Sequence, residues 1–368
     1  MGLPTEVLII GAGPAGLAAA IAARKKGFSV TVADGRKPPI DKACGEGLLP
    51  GTLGALRELG ICIRAEDGES FQSIRFIDGS TSAAADFPGD GGIGIRRTIL
   101  HQKLAARAEE FGVQLLWNTR VTNISKSGVM AGGESIQAQW IVGADGIHSR
   151  VRLWSGLDTG VNQGVRFAQR RHYRAKLLRG RVEVYWGRRI QAYVTPVASD
   201  ETCVVLISRD PAMHFEDALR EFPKLADSLR NADLGSVQRG AVTATCKLDR
   251  VCRGNIALVG DASGSVDAIT GEGLGLSFRQ ALALADALEA GDLGKYESAH
   301  RRLTRRPHVM SRLLLILDQF GPLRRRVLRG LARDPVLFSR LLMAHISETS
   351  TAFLAETSAR LGWRLIAA

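Results

Sequence analysis

Three glycine-centred segments lie far apart in the chain. They are Gly11-Ala12-Gly13-Pro14-Ala15-Gly16, Gly143-Ala144-Asp145-Gly146 followed by Ser149 and Arg152, and Gly260-Asp261 followed by Gly271-Glu272-Gly273. The first has the chemistry of a pyrophosphate site. One glycine permits a tight turn, a second lets the backbone approach an anion, a third lets a helix pack closely, and the helix N-terminus offers free amides. Gly11, Gly13 and Gly16 stand where those parts are needed, with Pro14 and Ala15 inside the turn. Eighteen residues after Gly16 comes Asp34, a carboxylate placed to accept hydrogen bonds from a ribose, followed by Gly35 and Arg36.

Such residues need a strand, a turn, a helix and a second strand behind them. The apolar run 7–10, the alanine-rich run 17–23 and the β-branched run 28–33 supply these in register. A helix is expected through Leu53, Leu56 and Leu59, short strands over 71–95, and a helix over 98–111 with apolar spacing at Ile99, Leu100, Leu104 and Ala108. Strands are expected near 113–117, 121–124 and 140–142, the last running into the second glycine segment. From about 164 to 246 the texture becomes alternating strands, interrupted by helices between 215 and 231, and residues 256–259 read as a buried strand entering the third segment. The expected fold class is α/β: a Rossmann-type domain that the chain enters, leaves and re-enters, an inserted antiparallel β-sheet domain and a C-terminal helical region. The parts are 1–163 (with 71–95 on the substrate side), 164–250, 251–300 and 301–368.

In this order the three segments resemble the fingerprints of the FAD-dependent aromatic hydroxylase and geranylgeranyl reductase superfamily, over about residues 5 to 290. The resemblance implies FAD as cofactor and NAD(P)H as electron donor, with no separate nicotinamide domain. It implies that Asp261 binds the ribityl chain, that Arg97 and Val121 lie along the FAD, and that Gly273 and Leu274 approach the isoalloxazine, with Gly260, Gly271 and Gly275 in the same cradle. Asp145 falls where the superfamily couples cofactor binding to NAD(P)H use, and Cys44-Gly45 where a cysteine-glycine segment lies beside the flavin. A helix opening near Gly273 would turn its amides towards the negative charge of a reduced flavin, and Glu272 is expected to cap those amides or, as the alternative, to act on a flavin-bound substrate.

Within the superfamily the signals divide. Hydroxylases commonly carry a histidine after the glycine-aspartate pair and an asparagine after the later glycines, where this chain has Ser263-Gly264 and Gly275. Gly271-Glu272-Gly273 and Cys44-Gly45-Glu46-Gly47-Leu48 look more like the reductases, whose tyrosine-tryptophan-phenylalanine-proline signature is missing. Tyr193-Val194-Thr195-Pro196-Val197 resembles the pocket strands of monooxygenases. The expectation is an NAD(P)H-dependent monooxygenase that hydroxylates a small aromatic or polyketide-derived substrate. One alternative is a geranylgeranyl-reductase-like ene reductase acting on an isoprenoid or lipid-like substrate; another is a non-enzymatic flavin-binding scaffold. Halogenases of this fold typically carry a tryptophan-x-tryptophan motif, which is absent. The candidate catalytic residues are Cys44 and Glu46, as donor or relay of a proton in the reductase reading, and Tyr193, as hydrogen-bond partner of a phenol.

Composition frames this reading: 368 residues with 45% hydrophobic and 23% charged are ordinary for a globular protein. Five cysteines form no C-x-x-C pair and no cluster with nearby histidines, so neither a disulfide framework nor a metal site is expected. The uncharged run 7–23 is a glycine-loop motif rather than a leader, and a cytoplasmic protein is expected. Between Arg301 and Arg340, eleven arginines face Asp318 and Asp334, nine of the net twelve positive charges. This region is either the solvated face of a helical cap or a contact for a membrane surface or an acidic carrier protein. A second basic stretch over 166–189 either attracts an anionic ligand or decorates an exposed sheet face. Nucleic acid is not an expected partner, since aromatic residues are only 6% of the chain and no reader motif is present.

Overall fold

The computed structural model describes residues 5–125, 128–161, 163–346 and 350–367. Its first strand, Thr5–Ile10, carries four consecutive buried apolar residues, Val7 to Ile10. A strand buried on both faces needs that run, because helices cover both sides of a parallel sheet. The sheet order is Cys252–Arg253, Ile256–Leu258, Ala138–Gly143, Thr5–Ile10, Val30–Ala33 and Gln114–Leu116. All neighbours are parallel except the Cys252–Arg253 edge. The chain therefore builds outward from Thr5–Ile10 on one side, then returns to its other side with Ala138–Gly143. That reversal opens a crevice at the carboxyl ends of the strands. Helix Pro14–Lys25 packs against Arg97–Glu110 and Gly273–Glu289.

The second sheet has ten strands. Gln163–Arg174, Glu201–Ser208, Ile190–Ala198 and Gly180–Trp186 lie side by side and antiparallel, as the alternating texture requires. Glu69–Asp78 joins them in parallel beside Gly180–Trp186, and Gly92–Gly94 and Gly47–Leu48 extend the edge. The early part of the chain thus supplies one flank of this sheet.

The last helices are Leu293–Gln319, Gly321–Arg333, Pro335–Ile346 and Thr351–Ala367, beginning eight residues before the expected basic region. Prolines follow the breaks: Pro322 sits in the first turn of its helix and Pro335 opens the next, where a missing N–H costs nothing. Asp334 accepts the amide of Leu337 at 3.1 Å and so caps that second start. Apolar faces of these helices close over the second sheet through Leu328, Leu331, Leu337, Phe338 and Leu342 against Phe71, Phe87 and Trp186.

Candidate functional site

One cavity of about 1400 Å³ runs from the crevice of the parallel sheet to the C-terminal helices. A single ligand usually takes ~300–1,000 Å³, so this space accommodates a dinucleotide and a second molecule. The structure brings to it Gly11, Gly13, Pro14, Ala15, Asp34, Gly35, Arg36, Cys44, Gly45, Glu46, Arg97, Val121, Asp145, Tyr193, Gly260, Asp261, Gly271, Gly273 and Leu274. Gly16 and Gly275 do not line it. A side chain on Gly16 would collide with the carbonyl of Gly11, and one on Gly275 with the hydroxyl of Thr52. Both glycines permit close packing instead of ligand contact.

The cradle fits FAD. Space is open where a Cβ would stand on Gly13, Gly271 and Gly273, as a backbone surface for a ligand requires. Helices Pro14–Lys25 and Gly273–Glu289 both start without a side-chain cap, which leaves their first amides for an anion. Glu272 is no cap, contrary to expectation. Its carboxylate lies 3.8 Å from Arg279 and 3.6 Å from His345 Nδ1. Asp34 accepts the amide of Ala12 at 2.9 Å and that of Arg36 at 2.9 Å, so it fixes the glycine turn at the wall of the cavity. The side chain of Asp261 is half-exposed, with Lys42 Nζ at 3.5 Å, and the buried Arg97 Nε has no partner among the described residues. Asp145 spends its carboxylate on Ser149 Oγ at 2.5 Å and the amides of Arg150 and Val151, which caps the helix Arg150–Trp154.

Beside the cradle lies a buried polar network that the sequence did not reveal. Strand Gln163–Arg174 alternates, so Arg166, Arg170 and His172 share one face, and all three are buried. Arg166 pairs with the buried Asp267, while Arg170 holds both oxygens of Asp41 at 2.9 and 2.8 Å. Burial works against ionising Asp41, but Arg170 and then Arg239 hold its carboxyl below the usual value. This part of the basic stretch is neither surface decoration nor a free anion trap, because its charges are neutralised inside the protein. Glu46 is 2% exposed and stands at φ 58°, a region side chains rarely occupy. Its Oε2 lies 2.6 Å from His172 Nε2, and its Oε1 accepts the amide of Arg97 at 3.0 Å. Cys203, cross-strand from His172, completes a trio whose ligand atoms lie within 4.8 Å of one another. Cys203 and His172 are thirty-one positions apart, so the expectation, which concerned histidines near a cysteine in the sequence, does not reach this pair. The cation in this cluster is already present, since Arg170 Nη1 is 3.3 Å from Glu46 and 3.1 Å from His172 Nδ1. Burial pushes the Cys203 thiol well up, and Glu46 adds to the effect.

Cys44 lines the cavity, and its sulfur is 3.4 Å from the amide of Glu46. Tyr193 donates to Gln191 Oε1 at 3.1 Å, and burial raises its phenol. Beyond them the cavity is walled by Phe71, Phe76, Trp186, Leu317, Leu328, Phe338 and Leu342. Met310, Leu313, Leu314 and Leu317 line it from helix Leu293–Gln319, and Leu313 is also 52% exposed, which marks a mouth. His345 lines it too and donates from Nε2 to the carbonyl of Thr270 at 2.8 Å, tying the helical cap to the glycine cradle. A histidine in an apolar stripe near the C-terminus carries no spacing signal, and sequence reasoning missed it.

Comparison with known proteins agrees with this geometry. Residues 4–295 match the family described as FAD binding domain. Menaquinone reductase of Mycolicibacterium smegmatis is 25% identical, over 81% of this chain and 80% of that protein. Digeranylgeranylglycerophospholipid reductase of Methanothrix thermoacetophila is 26% identical, over 78% of this chain and 80% of that protein. Among solved structures, a flavoprotein/dehydrogenase from Cytophaga hutchinsonii superposes with a TM-score of 0.85 at 19% identity, covering 98% of each chain. With the cradle, the strand order and a match over most of its length, the chain belongs to the FAD binding domain family and is an FAD-dependent oxidoreductase.

Proposed function

We propose that the protein is a reductase that adds hydrogen across a carbon-carbon double bond of a long, apolar, isoprenoid-like substrate, with NAD(P)H as the source of electrons. The observation that carries this reading is the apolar lobe of the cavity, which continues from the cradle past Phe76, Trp186 and Phe338 to the half-exposed Leu313. A small hydroxylated ring would leave most of that lobe unfilled. The two reductases named above, at about a quarter identity, support the same class.

When bound, FAD supplies the hydride chemistry. Gly13 and the start of helix Pro14–Lys25 hold the pyrophosphate, Asp34 the ribose and Asp261 the ribityl chain. Gly271 and Gly273, with open space where a side chain would stand, would admit the ring system. Phe71, Phe76, Trp186, Phe338 and Leu342 exclude water and align the chain of the substrate. Glu46, at the junction of cradle and lobe with Cys44 beside it, holds the proton that the second carbon receives.

The same mouth suggests where the substrate comes from. Val309, Leu313 and Ile316 are exposed and recur every three to four positions on helix Leu293–Gln319, the exposed Phe320 follows its end, and the exposed Arg305 and Arg312 lie on the same helix, with Arg325 and Arg329 on the next. An apolar ridge with arginine flanks fits an anionic membrane surface. Among the described residues no helix is long and apolar enough to cross a membrane, so the contact is peripheral in this reading.

Monooxygenation is the second reading, favoured by Tyr193 within the cavity, where its hydroxyl would orient a phenol. The two readings separate on anaerobic mixing of the reduced protein with a polyprenyl substrate. A product two mass units heavier, formed without oxygen, supports reduction; a product formed only with oxygen and sixteen mass units heavier supports hydroxylation.

A further inference from the structure

We propose that Glu46, His172 and Ser236 form a proton route from the cavity through the second sheet to solvent. The route rests on the reading that FAD occupies the cavity beside Glu46, and it extends that reading to the residues that recharge the carboxyl.

Glu46 lines the cavity but is almost fully buried, so a proton it gives up must be replaced from within the protein. Its Oε2 is 2.6 Å from His172 Nε2, and His172 Nδ1 is 2.6 Å from Ser236 Oγ. His172 is wholly buried, whereas Ser236 is half-buried and is followed by the exposed Val237, Gln238 and Arg239. Two short contacts therefore join the cavity to the surface.

The polarity of the chain is fixed by chemistry. An ionised carboxylate only accepts, so Nε2 carries the ring hydrogen and Nδ1 accepts from the serine hydroxyl. Every hydrogen points inward. When protonated Glu46 gives its proton to the cavity, the carboxylate takes one from Nε2, Nδ1 takes one from Ser236, and Ser236 takes one from water. One proton enters from solvent for each that leaves; Glu46 and Ser236 return to their starting states, while His172 is left as its Nδ1–H tautomer and is reset by rotation of the ring before the next proton passes.

The surrounding groups leave this path open. Arg170 already holds both oxygens of Asp41, and its Nη1 lies 3.1 and 3.2 Å from the two ring nitrogens. A group equidistant from both nitrogens lies along neither lone-pair direction, so it blocks neither transfer. Asp41 and Arg239 are the charges on the outer side, and Glu46 itself faces the Arg170 guanidinium at 3.3 Å, the backbone amide of Arg97 and the thiols of Cys44 and Cys203. The φ of 58° at Glu46, between Gly45 and Gly47, is the strain expected where a carboxylate is held at a cofactor cavity for use.

The test measures protons and electrons separately in the flavin-loaded protein. Anaerobic holoprotein is mixed with reduced methyl viologen, whose radicals supply two electrons and release no proton. Electron arrival is followed by viologen bleaching and proton uptake by a pH-indicator dye in weak buffer. In the wild type the two should keep step. In His172→Gln, with FAD content and melting temperature retained, uptake should lag by about tenfold or more, and in Ser236→Ala by a smaller factor because water substitutes for the hydroxyl. Uptake in step with electrons in a folded, FAD-loaded His172→Gln overturns the route. If that variant does not fold, Ser236→Ala decides: a lag supports the route and wild-type timing overturns it. A wild-type protein that holds no FAD would overturn the cofactor reading instead, so the two failures are distinguishable.

Discussion

Glu46 and His172 stand 126 positions apart in the chain and 2.6 Å apart in space. The loop bearing Glu46 lies against the buried face of strand Gln163–Arg174, and the carboxylates of Asp41, Glu46 and Asp267 answer the positive groups on that face. The junction between cradle and second sheet is therefore held by ionic contacts as well as by apolar packing.

That arrangement makes Asp267 a sensitive position. Asp267→Ala leaves the fully buried Arg166 without its carboxylate, and losing one partner of a buried pair costs about 3–5 kcal/mol. Chemical denaturation should show a loss of that size, whereas Asp267→Asn, which retains an acceptor, should lose less. Unchanged stability in Asp267→Ala would contradict the assigned role.

Two glycines of the first segment should fail differently. Gly13→Val projects into open cavity, so the variant should fold normally but hold FAD about tenfold or more weakly, as read by flavin content after gel filtration. Gly16→Val drives a side chain into the Gly11 carbonyl and should destabilise the fold itself, towards the upper end of the ~1–3 kcal/mol typical of overpacking.

Helix Leu293–Gln319 predicts salt-sensitive membrane binding. The protein should co-sediment with vesicles rich in phosphatidylglycerol and release as salt rises, and Leu313→Asp with Phe320→Asp should abolish the apolar part of the contact. Equal recovery with neutral and anionic vesicles would argue against the arginine flank.

His300 sets an acid limit on stability. Burial, with smaller contributions from His308 and Arg301, pushes its imidazole down to about 4, and its Nε2 lies 3.0 Å from Ser263 Oγ. The unfolded chain binds this proton more readily. The stabilisation from the neutral ring is complete above the ordinary histidine value near 6.5 and is lost as pH falls from there towards about 4, at most about 3 kcal/mol. Thermal melting of His300→Gln should lose less stability than the wild type between neutral pH and about pH 4.5.

Much of this architecture is legible in the sequence because its determinants are local. The apolar run before Gly11, the three glycine segments and the alternation through Val182 to Ile207 each specify their element from neighbouring residues. What escaped depends on distant partners. Nothing near Arg166 or Arg170 in sequence indicates that both are buried, because their counter-ions arrive from loops a hundred or more positions away. Glu272 looks like a cap from its place before a helix, yet its carboxylate is turned towards Arg279 and His345, one of them contributed by the C-terminal helices. The apolar lobe was equally hidden, since Leu317, Leu328 and Phe338 read as ordinary helix faces until the sheet they cover is known. It is this lobe that moves the favoured reading from hydroxylation of a small ring to reduction of a long chain.

The most direct test of that reading is anaerobic. The holoprotein is reduced, freed of excess reductant and mixed with a geranylgeranyl lipid or a menaquinone while the flavin spectrum is recorded. The account predicts return of the oxidised spectrum without oxygen, with one saturated double bond formed per flavin. A flavin that stays reduced until oxygen is admitted, and then yields an oxygenated product, would contradict it.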